Sequence, residues 1–181
     1  MDDKRQRFEA QALPHLDSAY NLARWLARSQ VDADDVVQEA MLRAYRGFDS
    51  VRGHDVKPWL LAIVRNCFLT AASQGRRGAS QPLPKDDAED GAAAIPDEAP
   101  NPEVSAIRAD HSRKLSRVIS SLPQEFREVL VLREMEDLSY GDIAQVTRIP
   151  IGTVMSRLAR ARSMLRDKWM DEVEGARHGM S

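Results

Sequence analysis

Apolar residues recur along most of this chain at steps of three and four, the spacing that lines one face of an α-helix. Between about Arg7 and Gln74, Leu13, Leu16, Ala19, Tyr20, Ala23 and Leu26 form a first stripe, with Pro14 tolerable near a helix start. Asp32 is placed to cap a second helix, with Asp35 three residues on. Its apolar face is Val37, Ala40, Met41, Ala44, Tyr45 and Phe48. Gly47, Asp49, Ser50, Gly53 and His54 then signal a loop. Asp55 to Pro58 restarts a helix that continues through Trp59, Leu60, Ile63, Val64, Cys67 and Phe68 to roughly Ala72.

The periodicity is lost between Gly75 and Pro102, where Pro82, Pro84, Pro96, Pro100 and Pro102 alternate with Ala, Gly, Asp and Glu. Such a stretch reads as a flexible or extended linker. Helical spacing resumes near Glu103 with Ile107, Leu115, Val118, Ile119 and Leu122, and breaks at Pro123. Phe126, Val129, Leu130 and Leu132 form the next helix. The expected fold is all-α: two small helical domains, residues 7–75 and 103–170, joined by an acidic, Pro-rich linker over 76–102.

The stretch from Leu138 to Arg166 carries the most chemistry. Ser139 is placed to cap a short helix, and Asp142 completes a capping-box pattern. Ile143, Ala144 and Val146 supply its buried side; Pro150 and Gly152 break the pattern and open another helix. There Val154, Leu158, Ala161 and Leu165 make one apolar stripe. Ser156, Ala159, Arg160 and Ser163 fall opposite, flanked by Arg157 on one side and Arg162 and Arg166 on the other. A packed stripe behind and small or guanidinium side chains in front suit a helix that sits in a DNA major groove. Taken alone, the pattern is equally that of a helical hairpin that binds nothing.

Composition narrows the picture. The 181 residues allow one or two modest domains; 30% are charged and 6% aromatic, which argues against an all-β fold. A net charge of -2 excludes a globally basic nucleic-acid coat. Arg157, Arg160, Arg162, Arg166 and Lys168 nevertheless cluster against Asp167 alone, while Asp86, Asp87, Glu89, Asp90, Asp97 and Glu98 crowd the middle. Any DNA contact is therefore expected to be local, through one face. Cys67 is the single cysteine, which excludes an internal disulfide and fits a buried packing role in a reducing compartment. The N-terminal Met-Asp-Asp-Lys-Arg lacks a signal-peptide core, and no apolar run is long enough to span a bilayer, so a cytoplasmic location is expected. The chain ends soon after its last helical stretch, so no appended regulatory domain is expected. His15, His54, His111 and His178 are scattered without metal-ligand spacing, and neither a phosphate loop nor a nucleophile–base pattern occurs. No cofactor, metal or catalytic role is expected.

Three segments in series resemble the extracytoplasmic-function (ECF) sigma factors of bacterial RNA polymerase. Asp32 to Arg46 (DADDVVQEAMLRAYR) is similar to that family's region 2.2, and Lys57 to Asn66 (KPWLLAIVRN) to its regions 2.3 and 2.4. Leu122 to Glu134 (LPQEFREVLVLRE), with the helix pair that follows, is similar to region 4. The resemblance implies a dissociable specificity subunit that binds core polymerase at the β′ clamp and the β flap, reads two promoter elements and is held by an anti-sigma factor. Catalysis would belong to the polymerase.

The same resemblance implies roles for residues. Asp34, Asp35, Gln38 and Glu39 match the clamp-binding surface, although acids near a helix start also stabilise its dipole. For the −10 element, Asn66 matches a DNA-bonding position, and Val51, Arg52, Gly53 and His54 would form the loop pocket that takes a flipped base. Arg43, Arg65, Arg76 and Arg77 are phosphate candidates. Trp59 is read first as a core anchor and second as a stacking platform. Thr70 to Gln74 stand where many family members carry an Asp and an arginine run, which weakens the expected attraction to a separated strand. For the −35 element, Met155, Ser156, Ala159 and Arg160 match DNA-facing positions, with Arg133, Tyr140, Arg148 and Arg157 as backbone anchors. Two other readings stand beside this one: a sigma mimic that only sequesters an anti-sigma protein, and a dimeric helix-turn-helix repressor.

Overall fold

The computed structural model describes residues 2–27, 29–51, 55–78 and 102–178, and every regular element among them is helical. In chain order these are α1 (Asp2–Gln11), α2 (Leu16–Leu26), α3 (Gln30–Gly47), α4 (Val56–Gly78), α5 (Pro102–Ser120), α6 (Gln124–Leu130), α7 (Tyr140–Thr147) and α8 (Ile151–His178). The expected linker lies, over residues 79–101, outside the described residues. Helix α4 continues past Ala72 to Gly78, and α5 begins on Pro102, a residue whose missing N–H costs nothing in a first turn.

Two Ser-x-x-Asp sequences start helices by the same device. Before α7, the Ser139 hydroxyl accepts from the Asp142 N–H at 3.1 Å and donates to the Asp142 carboxylate at 2.7 Å. Before α3, Ser29 does the same with Asp32, at 3.1 and 2.8 Å. This corrects the placement of Asp32 as the cap. The helix begins one turn earlier, Ser29 takes the extended cap conformation (φ -132°, ψ 155°), and Asp32 sits in the first turn, where its charge complements the exposed N–H groups.

Helix α1 lies before the first expected stripe and is held by Phe8, whose ring meets Tyr45 and Phe48 edge-on at 5.3 Å each. Pro14 sits in a 3₁₀ turn (Leu13–His15) that redirects the chain into α2. Between α6 and α7 a π-helical turn spans Val131–Met135, closed by Glu136 N–H to the Val131 carbonyl at 3.1 Å. The wider turn inserts a residue into the helical register. Asp137 then adopts a left-handed conformation (φ 54°) and ends it.

The apolar faces of the two halves do not form separate cores. Leu22, Val37, Leu60, Leu61 and Val64 from the first half are continuous with Val129, Val131, Leu132, Ile143, Val146, Val154 and Leu158 from the second. Helix α4 packs on α2 and α3 and also on α7, while α2 reaches α6. A smaller cluster of Ile119, Leu122, Leu130 and Ala161 lies under α5 and α8, and Trp25 touches both clusters. The tether expected from the sequence is thus supplemented by direct packing of one half on the other.

Because each serine cap supplies a partner for an otherwise orphaned N–H, Ser29→Ala and Ser139→Ala should each lower stability by about 1 kcal/mol. Chemical-denaturation midpoints with unchanged m-values would verify this, and the two losses should add in the double variant.

Candidate nucleic-acid interface

Helix α8 presents the face that its sequence predicts. Val154, Leu158 and Ala161 are buried and Leu165 half-buried, while Met155, Ser156, Ala159, Arg160 and Ser163 are exposed on the other side. Arg160 is exposed and lies with its guanidinium 5.7 Å from the Phe126 ring, a cation–π contact made by the charged end of the side chain. The Ser156 hydroxyl donates to the Thr153 carbonyl at 3.1 Å and keeps its lone pairs for an incoming donor.

The flanking cations are in different situations. Arg157 pairs loosely with Glu125 at 3.6 Å, and Arg162 is bonded to Glu134 through both Nε (2.8 Å) and an η nitrogen (2.6 Å). Arg133 faces inward: it donates to the Leu138 carbonyl at 2.8 Å and stacks on the Tyr140 ring at 5.1 Å. These contacts make Arg133 and Tyr140 a brace for the turn that leads into α7. Arg148 stands exposed in the turn between α7 and α8, with φ 57° and ψ 38°. Glycine usually fills this left-handed position at a helix C-terminus. Arginine fills it here, a residue type whose charge is favourable near the negative end of a helix dipole.

In the first half, Trp59, Ala62 and Asn66 share one face of α4 by their spacing of three, four and seven. Trp59 and Ala62, with Ser50, Val51, Asp55 and Pro58, wall a cavity of about 410 Å³. Asp142 and Gln145 of α7 close its far side. Trp59 is half-buried against Phe48, with ring centroids 6.3 Å apart, so it serves the core and lines the cavity together. Arg52, Gly53 and His54 lie outside the described residues, and nothing is said of the side chains of Arg76 and Arg77. Arg43 is bonded to Glu39 at 2.5 Å on the outer surface of α3. Cys67 is buried, and desolvation raises its thiol pKa, in keeping with packing.

Arg65 is placed differently from a free phosphate contact. Its Nε donates to Glu128 of α6, and an η nitrogen lies 3.4 Å from the second carboxylate oxygen. Burial pushes the Glu128 carboxyl upward from its ordinary value, an effect that Arg65 and Arg157 only partly offset. Nearby, Glu136, placed by the π turn, accepts from Asn21 at 2.6 Å and pairs with Lys57 at 3.2 Å. The Lys57 ammonium also donates to its backbone carbonyl at 2.7 Å. Neither acid was flagged by the sequence: each looks like an ordinary helix-surface residue until its partner, about 60 to 115 positions away, is known.

The four acids and amides of α3 remain on the surface. Asp35 and Gln38 are exposed, Asp34 accepts from Gln30 at 2.8 Å, and Glu39 holds Arg43. Val31 (69% exposed) and Leu42 (54%) extend the Asp35–Gln38 row at helical spacing. Exposed apolar residues at both ends of an acidic row were the signal that the sequence reading passed over.

Two helical units in this order, one ending in a reading helix, define a class, and comparison with known proteins agrees. The family profile described as sigma-70 region 2 matches residues 13–78, and that described as sigma-70 region 4 matches residues 112–165. The chain is 38% identical over 153 residues to the ECF RNA polymerase sigma-E factor of Haemophilus influenzae, covering 81% of this chain and 78% of that one. It is 39% identical over 143 residues to the Escherichia coli K12 sigma-E factor (76% and 73%). A Mycolicibacterium smegmatis relative, ECF sigma factor SigE, is 35% identical over 153 residues; the match covers 84% of this chain and 58% of that longer protein. The chain belongs to the ECF sigma factors of RNA polymerase, a family of transcription regulators. Its fold is shared with the sigma factor RpoE of Bartonella quintana, solved with the anti-sigma factor NepR (TM-score 0.68, 23% identity, 94% and 98% coverage). It is also shared with CnrH, solved with the cytosolic domain of CnrY (TM-score 0.63, 21% identity, 93% and 90% coverage). No helix among the described residues is long and apolar enough to cross a membrane.

Arg148 holds a left-handed conformation at a cost of roughly 1 kcal/mol relative to glycine. Arg148→Gly should therefore raise, or at least not lower, the unfolding free energy, measured by urea titration. A clear loss of stability would show that the guanidinium's interaction with the helix end outweighs the strain.

Proposed function

We propose that this chain is a promoter-specificity subunit that docks on core RNA polymerase and reads the −35 and −10 elements with separate halves, residues 7–75 and 103–170, linked over 76–102. One observation carries the −35 assignment: α8 buries a complete apolar stripe and turns Met155, Ser156, Ala159 and Arg160 outward together. Arg160 is the strongest base-reading candidate, suited to the O6/N7 edge of a guanine, while Met155 and Ala159 can meet a thymine methyl. Arg148 and Arg157 anchor the sugar–phosphate backbone, and Arg133 with Tyr140 holds the register of the unit that carries them.

Asn66, at the end of the face that walls the cavity, takes the −10 strand together with Val51 and the Arg52–Gly53–His54 loop. Arg43 contributes phosphate contacts; Arg65, paired with Glu128 in this structure, does so only where that pair opens. Asp34, Asp35, Gln38 and Glu39 dock on the β′ clamp, with Val31 and Leu42 adding apolar contact at the ends of the row. The second half engages the β flap. The chain supplies no catalytic group; the polymerase performs the chemistry, in the cytoplasm. An anti-sigma factor is the expected regulator, as in the Bartonella quintana complex that shares this fold.

In vitro transcription with core polymerase on genomic fragments tests the proposal: discrete new start sites are expected only when this chain is added. Tight binding to core without stimulation on any template would favour a mimic that only titrates an anti-sigma protein. Arg160→Ala should lower initiation by roughly 5- to 150-fold, the equivalent of about 1–3 kcal/mol for one base contact, while core affinity stays unchanged. Unaltered promoter choice in that variant would mean that another face of α8 reads the DNA.

A further inference from the structure

Helix α1 contributes little to the core. Of its described residues Phe8 alone is buried, and the rest of its surface is polar. Lys4, Arg7 and Phe8, spaced by three and four, share one face of the helix. All three converge on one short piece of chain, the 3₁₀ turn Phe48–Ser50 that follows α3. Phe8 meets the Phe48 ring edge-on, and the Arg7 guanidinium lies 6.0 Å from the centre of that same ring. The Lys4 ammonium donates to the Asp49 carboxylate at 2.7 Å and to the Arg46 carbonyl at 3.4 Å. Arg7 approaches the other carboxylate oxygen of Asp49 at 3.5 Å.

Asp49 needs such partners. It stands two residues beyond Gly47, the last residue of α3, where the helix dipole presents its negative end and an acid is disfavoured. Lys4 answers two negative groups at once, the carboxylate and the carbonyl of Arg46. Its hydrogen bond holds the Asp49 carboxyl below its ordinary pKa. Inside the turn, Ser50 Oγ donates to the Gly47 carbonyl at 2.6 Å and the Val51 N–H to the Phe48 carbonyl at 3.1 Å. Hydrogen bonds of a 3₁₀ turn are poorer than those of an α-helix, so a side-chain clamp from outside decides how firmly it is placed. Ser50 and Val51 leave this turn directly into the wall of the 410 Å³ cavity beside Trp59.

We propose that Asp49, clamped by Lys4 and Arg7 of α1, is a positioning residue for −10 recognition that fixes Ser50 and Val51 at the wall where the captured strand is read. The inference rests on the −10 assignment made above and extends it: α1 and Asp49 take part in base preference without touching DNA. The rival role for the same cations is direct contact with phosphates. The geometry favours the clamp, because the 2.7 Å bond already commits the Lys4 ammonium to Asp49.

The test uses holoenzyme reconstituted with the full chain. Its templates are two pools of one promoter found by the transcription assay above, randomised across either the −10 or the −35 element. Heparin-resistant complexes are isolated and their DNA is sequenced. Wild type should enrich particular bases in both pools. Lys4→Met and Asp49→Asn should each reduce the −10 enrichment about fivefold, the upper end of what one exposed ion pair supplies, and leave the −35 enrichment unchanged. The double variant should lose no more than either single one, since both remove the same pair. Lys4→Arg, which keeps the charge and the donor, should retain the preference. Thermal midpoints of all variants should match wild type, so that lost preference is not lost folding.

An unchanged −10 preference in both single variants overturns the proposal, as do additive losses in the double variant. A uniform loss of complexes over all −10 sequences, with a shallower salt dependence, also overturns it and makes Lys4 a phosphate contact. Failure of the −10 assignment itself looks different: the wild-type chain would then enrich nothing in the −10 pool, and the positioning role would fall with it.

Discussion

Helix α4 has to satisfy neighbours from both halves of the chain at once. One side, with Leu60, Leu61 and Val64 fully buried, closes the core formed with α2 and α3. Another side packs on α7. It also carries Lys57 in its first turn and Arg65 near its middle, cations that a protein interior tolerates only when paired. Placing α7 on this helix therefore dictates where acids must stand in the second half. Glu128 on α6 and Glu136 after the π turn meet that requirement, and the local geometry of the turn follows from it. A regular α-helical continuation from α6 would carry Glu136 at a different angle; the extra residue of the π turn and the left-handed Asp137 set its carboxylate between Asn21 and Lys57.

Much of the fold could be read from the sequence because the relevant forces act within a few residues. The stripes of α3, α4 and α8 are largely buried where periodicity places them, although Tyr45 at the edge of the α3 stripe is exposed, and Ser139 caps α7 as its spacing to Asp142 implies. Ser29 and Asp32 have the same spacing, but Asp32 also looks like a cap, and the competition between two good cap residues three positions apart is settled by the extended backbone at Ser29. Helix α1 carries little amphipathic signal because a single aromatic, Phe8, does the anchoring. The candidate site was legible to the same degree. The outward face of α8 depends only on helix geometry, so its residues lie together as expected. Arg65 and Arg133 were equally recognisable as cations, yet their partners are Glu128, the Leu138 carbonyl and the Tyr140 ring. A periodic pattern states that a face is covered without saying by what; long-range pairing between Arg65 and Glu128 leaves no trace in either segment alone.

The two interfaces of α4 differ in a way that bears on how the molecule works. Its contact with α2 and α3 is apolar, and separating those helices would expose Leu22, Leu60, Leu61 and Val64 to water, at roughly 1.5–3 kcal/mol for each side chain. That unit is permanent. Its contact with the second half mixes apolar packing through Ile143 and Val146 with charges that water or phosphate can satisfy equally well. Opening it would also release ions that regain hydration. The chain thus places a joint of mixed chemistry where its two halves meet, and an apolar one inside the first half. Acid–cation pairing of Lys57 with Glu136 and of Arg65 with Glu128 joins the two halves over a shared apolar contact.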